Sequence, residues 1–179
     1  IHQDLWDAFL EQVIPGGGML RQEIAARLAP YTNYPPDIVS LKTNLAAIRD
    51  LFTQSANFTV SQQQAITNAL TPFFNPRRNI RFRSSTNVED AEHFTGAGLY
   101  DSYSGCLYDD MDGDTAGPCE CDPTEERERG VFRAIRKVYA SFYNDDAFLE
   151  RLLHQVDESR VAMGVLVPHS FPDEEELAN

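Results

Sequence analysis

Positive charge is scarce in this chain: 15 Lys and Arg stand against 28 Asp and Glu, for a formal net charge of −13. Such an acidic chain repels phosphate backbones, which argues against general nucleic-acid binding. Long apolar runs are missing as well. None reaches the ~20 residues that a membrane helix needs. The opening Ile1-His2-Gln3-Asp4-Leu5-Trp6 lacks the charged start and apolar middle of a signal peptide. Neither nucleic acid nor a membrane is therefore expected as a partner. Cysteine is limited to Cys106, Cys119 and Cys121. An odd count makes a poor disulfide framework, so free thiols in a cytoplasmic setting are the simplest reading. A bridge from Cys106 to Cys119 or Cys121 stays open, since all three fall in one loop region. Internal repeats and low-complexity linkers are lacking too. The first residue is not Met, and Glu174 to Asn179 reads as cut in mid-sequence. The expectation is a piece of a longer chain.

What is present is enough apolar material for one medium domain or two small subdomains: 179 residues, 42% hydrophobic. Leu5, Trp6, Phe9, Leu10 and Val13 recur at helical spacing, and Pro15 with Gly16-Gly17-Gly18 stops that helix. Trp6 reads as packing. A second helix is expected over Met19 to Leu28. Asp37 can cap a third, whose apolar face is Ile38, Leu41, Leu45, Ile48 and Phe52. Ser61 with Gln64 reads as a capping box for a fourth, burying Ile66, Leu70 and Phe73.

From Ile80 the character changes. Ile80 to Ser85 reads as a strand, Gly96-Ala97-Gly98 as a turn, and Leu99 to Leu107 as a second strand, antiparallel to the first. Thr124 is expected to cap a fifth helix, with Glu125, Glu126 and Glu128 in its first turn and Val131, Ile135, Val138 and Phe142 buried. Asn144 or Asp145 caps a sixth. Val161 to Val167 is the last strand. The fold class expected is α+β, with a small, mostly antiparallel sheet packed against several helices. Residues 1–78 would form a helical subdomain and 79–179 an α+β subdomain, standing apart or as one compact unit.

Within this acidic chain, Arg77, Arg78, Arg81 and Arg83 crowd together. Strand alternation puts Arg81 and Arg83 on one face and Ile80 and Phe82 on the other. Guanidiniums offer rigid forks of donors to phosphate oxygens. Hydroxyls and a glycine turn follow, where backbone N–H groups can approach an anion. A local basic cluster in an acidic chain suits a small anion better than a polymer.

Two stretches carry a family likeness. Arg83-Ser84-Ser85-Thr86-Asn87-Val88-Glu89-Asp90, followed after a spacer by Phe94 to Tyr103, resembles the nucleotide-binding segment of the pyruvate phosphate dikinase and phosphoenolpyruvate synthase family. That family reads R-S-S-A-T-x-E-D and then F-A-G-Q-x-D-T-Y. Ala134 to Phe148 and Ser159 to Phe171 resemble the family's W-A-S-L-Y/F helix and the strand after it. The likeness covers roughly residues 80–179.

It implies an ATP-grasp-like fold and an ATP-binding portion of a dikinase-type phosphotransferase. The parent enzyme would pass phosphoryl from ATP to a histidine on another domain, then to an acceptor. By the same resemblance Arg83 is the catalytic candidate. Arg83, Ala97, Gly98 and Ser102 are the binding candidates it implies, joined by Arg81 on the same strand face, a helper that the family motif does not require, with Glu89 and Asp90 orienting the arginines. Mg2+ would accompany ATP, with its ligands outside this chain, so the piece alone is expected to turn nothing over. Leu99 and Pro168 stand where the family often has Gln, with His169 as a replacement near adenine. Those departures keep a second reading open, a non-catalytic α+β interaction module.

Asp110-Met111-Asp112-Gly113-Asp114 resembles part of a calcium loop, but Cys121 holds the position of the distal Glu, and a solvated acidic loop fits better. Cys106, Cys119 and Cys121 hint at zinc but lack a fourth ligand and the usual spacing. A metal-binding sensor built on this loop is the third reading.

Overall fold

A computed structural model describes residues 1–88, 98–114 and 116–169. The fold is α+β. Its centre is strand β1 (Ile80–Thr86), with β2 (Ser102–Gly105) on one side and β3 (Met163–Leu166) on the other, both antiparallel. Around this sheet lie α1 (Gln3–Leu10), α2 (Leu20–Leu28), α3 (Ile38–Asp50), α4 (Val60–Leu70), α5 (Val131–Ser141) and α6 (Asp145–Leu153). The start of the chain joins the sheet as well: Ile1 and Val165 exchange two backbone hydrogen bonds of 2.9 and 3.0 Å.

Helix α5 packs on the inner face of β1 and β2. Gly105 makes this possible, because a Cβ there would lie 2.8 Å from Val131 Cα and 3.1 Å from Ala134 Cβ. Ile80, Phe82, Met163 and Val165 point the same way and are buried. On the far side of α5 lies an aromatic knot. Trp6 stacks on Phe52 at 5.8 Å and meets Tyr139 and Phe142 edge-on at 5.0 and 5.5 Å. Residues from both halves of the chain thus enter one apolar cluster. Trp6 is packing, as its spacing suggests. Cations close two helix ends by donating to the last carbonyls. Arg136 reaches Thr53 O and Ala56 O, beyond a π-type turn (Leu51–Ser55) that continues α3. Arg49 reaches Tyr143 O.

Several boundaries differ from the sequence expectation, each for a physical reason. Helix α1 stops at Leu10, and the chain folds back through Ile14 N–H to Gly18 O. Val13 therefore stays 69% exposed while Ile14 is buried. Asp37 caps α3 as expected, but Ile38 in its first turn is exposed. Thr59 and Gln62, not Ser61 and Gln64, form the capping box of α4. Phe73 lies past the end of that helix and is exposed, while Phe74 packs on the core.

Helix α5 starts at Val131, seven residues after Thr124. Its cap comes from a distance: the Asp110 carboxylate accepts from Val131 N–H at 2.6 Å and from Phe132 N–H at 3.3 Å. Glu125, Glu126 and Glu128 consequently lie in the loop before it. The second strand is shorter than expected, and Gly98 to Tyr100 form a turn. The expectation of three free thiols is also corrected. Cys106 and Cys121 form a disulfide, and Cys119 remains a buried thiol. A disulfide sits poorly with a reducing compartment. No helix among the described residues is long and apolar enough to cross a membrane.

Candidate functional site

The outer face of the sheet carries what the inner face cannot. The register sets Arg83 opposite Ser102 on one side and Leu166 on the other, and Arg81 opposite Ser104. Directly opposed residues share a face, with Cβ atoms about 5 Å apart. The face therefore presents two guanidiniums, the three hydroxyls of Ser85, Ser102 and Ser104, and one apolar side chain. Arg81 donates to Ser104 Oγ at 3.3 Å. The Arg83 side chain is exposed and forms no ion pair or hydrogen bond among the described residues. Leu166, 59% exposed, lies beside it. Sequence reading passed over Leu166, although the alternation that buries Met163 and Val165 places it outside.

Gly98 opens the turn that leads into β2. Its φ is +80°, a backbone region that disfavours other residues, and the space where a Cβ would stand is open. The turn is anchored from beneath. Asn144 donates to Leu99 O at 3.4 Å, Tyr100 stacks parallel on Phe142 at 5.9 Å, and Arg151 reaches Tyr100 Oη at 3.5 Å. Asn144 occupies the N-cap position of α6 but makes no side-chain cap there. Asp145 is taken up by Arg49 and Lys42, at 2.9 and 3.7 Å. Sequence reading had no signal for Arg151. It is wholly buried and held by Glu158 at 2.6 Å, by Phe142 O at 2.8 Å and by the Phe142 ring 3.7 Å away.

Of the predicted site residues, the structure brings Arg83 and Ser102 together and puts Arg81 on the same face. Gly98 stands four residues before Ser102. Ala97, Glu89 and Asp90 lie outside the described residues. At the end of β3 Pro168 is exposed, and the His169 ring packs on Phe74 at 4.8 Å. On the inner face, Tyr103 donates to Asp101 at 3.1 Å and lies under Lys137, 4.5 Å from its ring centre. Burial, then Asp101, push its pKa up. A cavity of about 920 Å3 lies elsewhere, between α1, α2 and α6, lined by Trp6, Ile24, Tyr143 and Phe148. None of the arginine-face residues borders it.

In the acidic loop, Asp110 is used as the helix cap. Burial pushes its carboxyl up to about 6 despite the two N–H donors. Asp112, Asp114 and Glu128 gather their carboxylates within 4.8 Å of one another. A hydrogen bond to Asp114, with further carboxylates near, raises Glu128 to about 7.

No curated protein matches the chain. A family match does exist: the family described as pyruvate phosphate dikinase, AMP/ATP-binding domain, covers residues 5–171 and so takes in the helical half as well as the sheet. The sheet face and the turn lie inside that match, and the chain belongs to this family of AMP/ATP-binding domains.

Proposed function

We propose that this chain is the ATP-binding portion of a dikinase-type phosphotransferase, part of an ATP-grasp-like module, and that the outer sheet face holds the phosphates. The observation that carries this reading is Arg83: an exposed guanidinium with no partner among the described residues, set opposite the Ser102 hydroxyl. An unpaired cation beside hydroxyl donors suits a polyphosphate. Arg81 is steadied by Ser104 and adds a second charge to the same face. Gly98 leaves its backbone open to an anion, and Leu166 gives the base an apolar floor.

The donor set therefore fits a nucleotide's phosphates. Magnesium would arrive with ATP and neutralise phosphate charge. Arg83 binds and orients the phosphate tail and stabilises charge that develops on it. The parent enzyme would transfer phosphoryl onto a histidine of another domain and then to its acceptor. By itself, this chain binds nucleotide without turnover.

Calorimetric titration with ATP and magnesium tests the reading on wild type and Arg83→Ala. Charge-assisted hydrogen bonds contribute about 1.5–3 kcal/mol, so affinity should fall by roughly 10- to 150-fold. The melting temperature should move little, since the Arg83 side chain is exposed and makes no ion pair or hydrogen bond among the described residues. Equal affinity in the two proteins would refute the site. A second reading, a non-catalytic interaction module, draws on Pro168, which offers no donor, and on His169, already packed on Phe74. In the full-length parent, Arg83→Ala would then leave activity unchanged.

A further inference from the structure

We propose that, once the Cys106–Cys121 bond is reduced, Cys106, Cys119, Cys121 and Asp109 form a four-ligand site for a thiophilic divalent cation of the zinc class. The three sulfurs lie within 4.8 Å of one another. Cys106 and Cys119 are buried, 0% and 1% exposed, and Cys121 is half-buried. Three convergent sulfurs with a carboxylate make a soft, compact donor set, which selects zinc over magnesium or calcium.

Asp109, next to this cluster, would swing in as the fourth ligand that the cysteine spacing lacks; its carboxylate is not among the atoms that already lie within 4.8 Å of one another. It is 4% exposed, and its carboxylate lies against the Cys119 thiol. Its two oxygens accept from Glu120 N–H at 3.0 Å and Arg129 N–H at 2.7 Å. Each oxygen keeps a second lone pair for a metal. These two hydrogen bonds are the outer contacts that orient a ligating carboxylate.

The cluster does not depend on the disulfide for its shape. Cys106 N–H donates to Arg129 O at 2.8 Å, Cys119 N–H donates to Glu125 O at 3.0 Å, and Asp122 N–H closes a turn onto Cys119 O at 3.1 Å. Backbone bonds therefore hold the three cysteines after the sulfurs part. Pro76 O stands 3.6 Å from Cys106 Sγ and 3.4 Å from Cys121 Sγ, ready to accept from both thiols when they are reduced.

The chemistry balances with one named co-reactant, a phosphine reductant. It breaks the S–S bond and takes an oxygen atom from water to become the phosphine oxide, and two thiols result. The cation then displaces three thiol protons to solvent and binds three thiolates and the Asp109 carboxylate. In the disulfide form two of the four ligands are missing, so the site exists only in the reduced chain.

Cobalt(II) is the probe, titrated into the 179-residue chain reduced with a water-soluble phosphine. One equivalent should bind, with a thiolate-to-cobalt charge-transfer band and the visible bands of tetrahedral cobalt, and zinc should displace it. Cys119→Ser should weaken binding by ~10-fold or more and cut the charge-transfer intensity. Its oxidised form should keep the Cys106–Cys121 bond and its melting temperature, so loss of binding is not loss of fold. The oxidised wild type should take up no cobalt with a thiolate band. The proposal is overturned if the reduced chain binds no cobalt, if it binds only octahedral cobalt without charge transfer, or if Cys119→Ser binds as wild type does.

Discussion

Arg151 offers a demanding test of how the candidate site is supported. Its side chain is fully buried, paired with a Glu158 side chain that is 32% exposed. It also donates to Phe142 O at 2.8 Å and Ala147 O at 3.3 Å, and stacks on Phe142. Arg151→Met keeps an unbranched apolar stem and removes every donor. Breaking a buried pair from one side costs about 3–5 kcal/mol, because the remaining partners are stranded. Here the stranded carboxylate can rehydrate, so the expected cost is about 3 kcal/mol. For a chain of this size each kcal/mol moves the midpoint by about 2–4 °C, which gives a loss of about 6–12 °C by circular dichroism. Replacing Glu158 by Leu as well removes the stranded charge and should recover part of that loss, leaving two carbonyls short of a donor. Loss of the Arg151 contact also frees Tyr100, so amide exchange at Leu99 to Asp101 should quicken. A single variant within 1 kcal/mol of wild type would refute the argument, as would unchanged exchange in that turn.

Two further outcomes follow from close approach and from burial. Gly105→Ala would drive a Cβ to within 2.8 Å of Val131 backbone, so overpacking should cost about 1–3 kcal/mol in urea unfolding; an unchanged midpoint would contradict the packing of α5 on β2. Asp110 titrates near 6 when folded, against an ordinary 3.8. A raised carboxyl favours the folded state when protonated, so this contribution is full below about pH 4 and is lost as pH rises through about 6. Relative to Asp110→Asn, wild type should gain up to about 3 kcal/mol between pH 7 and pH 4. Denaturant unfolding of both proteins across that range measures it, and a flat difference would count against the buried carboxyl.

What the sequence makes legible is local. The α3 face was readable because its apolar steps of three and four and its Asp37 cap all lie within one stretch. The arginine face was readable because strand alternation needs only neighbouring residues. The misses share the opposite property. Thr59 with Gln62 and Ser61 with Gln64 are equally good boxes in sequence, and the burial of Phe58 against Phe9 at 4.8 Å decides between them. The start of α5 is set by Asp110, 21 residues before it. Cys106 and Cys121 are 15 residues apart, so their pairing depended on how the loop folds back. Nothing local marks Arg151, whose burial comes from Phe142, Glu158 and Tyr100 closing around it.

The central strand ties these local and distant facts into one constraint. Side chains on β1 alternate, so the residues that hold it in the core also aim its cations. A slip of one residue would turn Arg81 and Arg83 toward α5 and bring Ile80 and Phe82 out to water. Ile80 and Phe82 are 1% and 0% exposed, and exposing them would cost about 1.5–3 kcal/mol each, before the desolvation of two guanidiniums is added. The register is locked at the Ile80 end from both neighbouring sides. Gly105 admits α5 only when it stands opposite Ile80, and Ile80 also meets His169 across the other edge. The same core contacts that stabilise the sheet thus hold Arg83 opposite Ser102. A substitution in the α5–β2 contact, far from any phosphate, should therefore weaken nucleotide binding through register before it abolishes folding.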